Sequence, residues 1–113
     1  MINQAIQRKI ERLQAGETII SREAGNSMLP ILASMEPVEL SPVNWEDCEA
    51  GDIVFCKVGG HYYTHKVYAK NDKKGLQIGN NHGHVNGWTT KVYGKARLLS
   101  KEEKENLKKK KND

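Results

Sequence analysis

Gly51-Asp52-Ile53-Val54-Phe55-Cys56-Lys57-Val58-Gly59-Gly60-His61-Tyr62-Tyr63-Thr64-His65-Lys66-Val67-Tyr68 decides the fold. Two runs rich in β-branched and aromatic residues flank a Gly-Gly pair. That pair supplies the backbone freedom a tight hairpin turn needs. Strand alternation then puts Tyr63, His65 and Val67 on one face and Tyr62, Thr64, Lys66 and Tyr68 on the other. His65 and Lys66 therefore cannot both point into one pocket from a regular strand.

Outward from this hairpin the signals stay β-like. Thr18-Ile19-Ile20-Ser21 reads as a short strand. Pro37-Val38-Glu39-Leu40-Ser41-Pro42-Val43 alternates with period two, and its terminal prolines predict an edge or border strand. Asn71 to Gly75 reads as a polar turn, followed by a strand at Leu76-Gln77-Ile78. The stretch from Ile78 to Thr89, rich in Gly, Asn and His, reads as a loop. Lys91 to Leu99 reads as a final strand. Six or so short strands predict a mainly β fold, with a small, coiled and partly closed sheet spanning residues 17–99. Ile2, Ile6, Ile10 and Leu13 recur at helical spacing within residues 1–16, and Gly16 is a plausible stop. Ser100-Lys101-Glu102-Glu103 fits a capping box. Only Leu107 could anchor a helix there, so residues 100–113 are expected to be a charged, Lys-rich tail or helix, solvated or frayed.

Composition narrows the function. A chain of 113 residues allows one domain with a thin core, in which seven aromatics do much of the packing. The longest apolar run, Ile53-Val54-Phe55-Cys56, falls far short of the roughly 20 residues of a membrane span. Residues 1–16 lack the apolar segment of a secretory signal. No membrane anchor and a cytoplasmic location are expected. Cys48 and Cys56 are spaced neither as a disulfide scaffold nor as a zinc pair, and read as reduced thiols. The net charge is +4, and residues 101–113 carry half of it, with six Lys against four acids. A basic nucleic-acid face on the body is therefore not expected.

Three segments carry chemistry. Gly25-Asn26-Ser27-Met28-Leu29-Pro30 combines a permissive turn, a serine hydroxyl and a stiff exit, an arrangement that can expose a nucleophile beside backbone N–H donors. A serine after Gly-Asn is also a common turn residue. His65 is a candidate general base if Ser27 lies within hydrogen-bond reach; otherwise it is a structural histidine. The Gly79-Asn80-Asn81-His82-Gly83-His84-Val85-Asn86-Gly87-Trp88 segment can order a site through short polar groups. His82 and His84 lack a carboxylate or thiol nearby in sequence, so no metal or other cofactor is expected. Trp45 and Trp88 read as partly buried packing residues, with Trp88 a possible wall of a substrate groove.

In this order the segments resemble the superfamily that joins type I signal peptidases with LexA-like self-cleaving proteins. The matching boxes are Ser27-Met28-Leu29-Pro30, Gly51-Asp52-Ile53-Val54, His65-Lys66-Val67 and Gly79-Asn80-Asn81, spanning about Ala24 to Gly94. The resemblance implies a signal peptidase/LexA C-terminal-domain-like sheet and a Ser27 nucleophile. It also implies a His65 general base, as in archaeal and endoplasmic-reticulum signal peptidases, with Lys66 in place of their Arg. Gly25, Met28, Pro30, Asp52, Lys66, Asn80, Asn81 and Asn86 are the implied supporting residues. Asp52 reads more as a turn residue than a catalytic one.

Three departures stand out. Gly25 occupies the position where signal peptidases often have a serine that helps the oxyanion hole. Asn80 and, less directly, Asn86 stand where the His-type enzymes carry Asp residues that orient the base. Residues 1–16 hold neither a membrane anchor nor a helix-turn-helix domain. The expectation is a stand-alone serine endopeptidase with a Ser27–His65 dyad. It would act on a protein or peptide bound as an extended strand, its own tail included, in a phage, mobile element or small regulatory system. The alternative is a weak or inactive peptidase-fold module that binds peptides or serves a regulatory or structural role.

Overall fold

The structure, a computed structural model, describes residues 3–111, with side chains through 108. Helix α1 spans Gln4–Gln14. Seven strands follow: β1 (Ile19–Arg22), β2 (Pro37–Pro42), β3 (Ile53–Val58), β4 (His61–Asn71), β5 (Gly75–Gly79), β6 (Val85–Thr89) and β7 (Val92–Leu98). Helix α2 spans Lys101–Lys111 and closes the described chain. All strand pairings are antiparallel, and the seven strands form one open sheet in the order β1-β2-β7-β3-β4-β5-β6. Among the described residues no helix is long and apolar enough to cross a membrane.

The β3–β4 hairpin pairs Ile53 with Lys66 and Val58 with His61, turning on Gly59 and Gly60, both at positive φ. Strand β3 lies between β7 and β4 and is buried on both faces, which explains its unbroken apolar run. On one face Ile53 and Phe55 join Leu13, Ile19, Met28, Leu32, Val38 and Leu40. On the other, Val54, Cys56 and Val58 join Cys48, Val67, Leu76 and Ile78. Both cysteines are free, and burial pushes their thiols up, to about 11 for Cys48 and about 12 for Cys56. Neither is a nucleophile at neutral pH.

Helix α1 lays Ile6, Ile10 and the fully buried Leu13 on the first core. Asn3 caps it by accepting the Ala5 N–H at 2.7 Å, and Gly16 at φ 91° ends it. Ile2, the first residue of the sequence stripe, lies outside the described residues.

Two expectations are corrected, and a third, open between two outcomes, takes one of them. Strand β2 is not an edge: it pairs with β1 on one side and β7 on the other. Its prolines sit at the strand's two ends, where a missing N–H disturbs the ladder least. The 78–89 loop contains strand β6, which pairs along β5 from Leu76↔Thr89 to Gly79↔Val85. Of the tail or helix expected at residues 100–113, the described residues Lys101–Lys111 form the helix. The Ser100 hydroxyl accepts the Glu103 N–H and the Glu103 carboxylate accepts the Ser100 N–H, so the capping box forms and α2 follows.

The link from β6 to β7 shapes the sheet. In a flat sheet β6 and β7 would stand four strand spacings apart, about 19 Å. Only Thr90 and Lys91 connect them, and three Cα–Cα steps reach at most about 11 Å. The β6 edge therefore curls back toward β3. There Thr89 Oγ1 donates to the Lys57 carbonyl at 2.6 Å, and the Lys57 N–H donates to the Lys91 carbonyl at 2.9 Å.

Candidate active site

The connection from β1 to β2 carries Ser27. Gly25 adopts φ 110°, and its N–H donates to Ser34 Oγ at 3.0 Å. Met28 and Leu32, one turn apart and joined by a 2.9 Å backbone bond, are buried and fasten the segment to the core. The Leu29–Pro30 peptide is cis. The 80–84 loop holds the segment from the side. The Asn81 N–H donates to the Ser27 carbonyl at 2.8 Å, and Asn81 Nδ2 to the Leu29 carbonyl at 3.0 Å. His82 Nε2 lies 3.0 Å from the Asn26 carbonyl.

That loop is itself built on two irregularities. A bulge in β4 leaves Tyr68 without a partner between Val67 and Ala69, and the Tyr68 hydroxyl donates to the Asn80 carbonyl. Asn80 Oδ1 accepts the N–H groups of His82 and His84 at 2.8 and 3.0 Å. A second bulge, in β6, leaves Asn86 as the extra residue, because Ile78 pairs with Gly87 and Gly79 with Val85. Bulges re-aim side chains, and this one turns Asn86 toward His65.

Ser27, His65 and Asn86 thereby form one line. Ser27 Oγ lies 3.1 Å from His65 Nε2, and His65 Nδ1 lies 2.8 Å from Asn86 Oδ1. Since a carboxamide oxygen only accepts, Nδ1 carries the hydrogen and Nε2 keeps its lone pair for the Ser27 hydroxyl. His65 is 8% exposed, and its ring stacks on that of Tyr63, centroids 4.6 Å apart. Burial holds the imidazole below the usual histidine range, partly opposed by the Asn86 hydrogen bond.

The other sequence candidates fall elsewhere. Asn80 does not touch His65; its side chain closes its own turn, which corrects its reading as an orienter of the base. Lys66 points to the opposite face, its ammonium 5.5 Å from the Tyr68 ring centre. Asp52 accepts the Glu49 N–H at 2.8 Å and faces Lys95 at 3.5 Å, both in support of the turn before β3. Trp88 lines a different groove, beside Lys74 and Lys91.

One participant was not anticipated. Glu23 Oε1 accepts from Lys9 at 3.0 Å, Thr64 at 2.9 Å and Ser21 at 3.3 Å, tying α1, β1 and β4 together beside the serine. Its position four residues before Ser27 was the one available hint. A groove of about 370 Å³ opens here, lined by Glu23, Gly25, Ser27, Tyr62, Thr64 and His65 among others.

No protein-family model, no curated protein and no solved structure matches this chain.

Proposed function

We propose that the protein is a serine endopeptidase of the signal peptidase/LexA-like kind, cleaving an extended protein segment with a Ser27–His65–Asn86 triad. The observation that carries this reading is the contact of Ser27 Oγ with His65 Nε2, 3.1 Å apart. Neutral His65 takes the Ser27 proton as Oγ attacks the peptide carbonyl, then passes it to the leaving amine. Asn86 holds the tautomer and ring orientation without adding a counter-charge, the role Asn has in Cys-His-Asn proteases. Gly25 brings no side-chain donor, so the oxyanion depends on backbone N–H groups such as that of Ser27.

The groove supports an extended substrate. Over His61–His65, β4 pairs with β3 alone, because its pairing with β5 begins at Lys66. A free strand edge thus borders the groove opposite residues 23–25, and a peptide backbone can pair along it. The small, coiled sheet of this superfamily is part of the same proposal.

The test is mass spectrometry of the wild type beside Ser27→Ala and His65→Ala. Each is incubated alone and with denatured protein across roughly pH 6 to 9. Fragments from the wild type are expected to fall by about 10⁴-fold or more in both variants. Identical fragment patterns in all three would sink the reading. The neutral Asn86 in place of a carboxylate favours slow turnover, and with it a second reading, a peptide-binding module. That reading predicts no cleavage and peptide affinity that survives Ser27→Ala.

A further inference from the structure

The curl that returns β6 to β3 creates a second groove, of about 400 Å³, that shares no lining residue with the Ser27 groove. Lys57, Lys73, Lys74 and Lys91 line it around Trp88, and among the described residues no carboxylate does. Asp72 belongs to the same β4–β5 turn but does not line the groove. The lysines come from three places: the end of β3, the β4–β5 turn and the β6–β7 link. In sequence they are scattered, so a count of charge along the chain gives no sign of the cluster.

The backbone beneath them is fixed. Asn71 Oδ1 accepts the N–H groups of Lys73 and Lys74, each at 2.9 Å. Thr89 Oγ1 accepts the Lys91 N–H at 2.9 Å while donating to Lys57. Among the described residues Lys73, Lys74 and Lys91 make no ion pair. The Lys57 ammonium rests over Tyr62, 5.3 Å from the ring centre, and that of Lys74 lies 5.6 Å from the Trp88 ring centre.

We infer that this Trp88–lysine groove binds single-stranded nucleic acid. A nucleotide offers an anionic phosphate and a flat base, and the groove offers unpaired ammoniums and a half-buried indole. An acidic peptide would match the ammoniums and leave the indole without a stacking partner. On binding, the Lys74 ammonium leaves the Trp88 face for a phosphate and a base takes its place.

The test is fluorescence anisotropy of a short labelled oligothymidylate and a matching oligouridylate with the full chain, at about 50 and 200 mM salt. Lys73→Gln/Lys74→Gln/Lys91→Gln is expected to weaken binding at least roughly tenfold at the lower salt and to reduce the log–log salt slope by about 2. Trp88→Leu is expected to weaken it roughly tenfold, and saturation to quench the wild-type Trp emission. Far-UV circular dichroism checks that each variant keeps its fold, and Ser27→Ala is expected to bind like the wild type whether or not the chain is a peptidase. Three outcomes overturn the inference. One is no binding by the wild type. Another is binding unchanged in the triple variant but lost when Lys108 to Lys111 are all changed to Gln. The third is displacement by polyglutamate as effective as by unlabelled oligothymidylate.

Discussion

The lone pair on His65 Nε2 depends on the hydrogen held at the other end of the ring. Asn86 Oδ1 accepts that hydrogen, and replacing it with Leu frees the ring to tautomerise and rotate, so activity should fall at least about tenfold. The pH profile follows from burial. Because the buried ring resists protonation, the acid limb of kcat/KM should fall below the ordinary histidine value of about 6.5. Asn86→Asp places a carboxylate 2.8 Å from the ring, favours imidazolium, and should move that limb to higher pH by about one pH unit. A limb that stays put in this variant would show that another group sets it. Ser27 and His65 were legible as residue types in a promising order. Which asparagine meets the histidine was not, because one residue of bulge in β6 decides it.

The β3–β4 hairpin was legible because its turn and its alternation are local. Strand β6 was hidden because Asn86 and Gly87 suit a loop, and only the pairing with β5 makes the segment a strand. Gly79 shows how tight that pairing is: a Cβ there would lie 2.4 Å from the His84 carbonyl oxygen and 2.5 Å from the Tyr68 ring. Gly79→Ala should destabilise the protein by about 2–3 kcal/mol in urea unfolding and displace the loop that holds Ser27. Helix α2 depends instead on its cap and on charge. Arg97 bridges Glu39 and Glu103, and Lys104 reaches Glu36 at 2.8 Å. These contacts hold the carboxyls of Glu36 and Glu103 low, Glu103 at about 2. A carboxyl lowered by folding stabilises above its unfolded value and loses that stabilisation as pH falls through the folded one. Hydrogen exchange should therefore show α2 loosening between about pH 4.5 and 2, and also in high salt, while β3 and β4 stay protected. Ser100→Ala, which removes the cap, should cost the helix about 1 kcal/mol.

At the scale of the molecule, Thr89 helps to latch the curl beside the Lys57–Lys91 backbone bond. Thr89 Oγ1 is both donor to the Lys57 carbonyl and acceptor from Lys91, and the residue is buried. Thr89→Val keeps the shape and removes both bonds. Thermal unfolding should register a loss of about 1–2 kcal/mol, and catalysis should suffer along with stability because Asn86 rides on the same strand. Ser27, His65 and Asn86 come from the β1–β2 connection, β4 and β6, so none of their spacing is local. That arrangement sets a timetable. Ser27 is synthesised early, but its hydroxyl meets a correctly oriented imidazole only after β6 has been made and folded back. If Ser27 is the nucleophile proposed above, a half-made chain would carry it without the means to use it, and neighbouring nascent segments would be spared until the fold was complete.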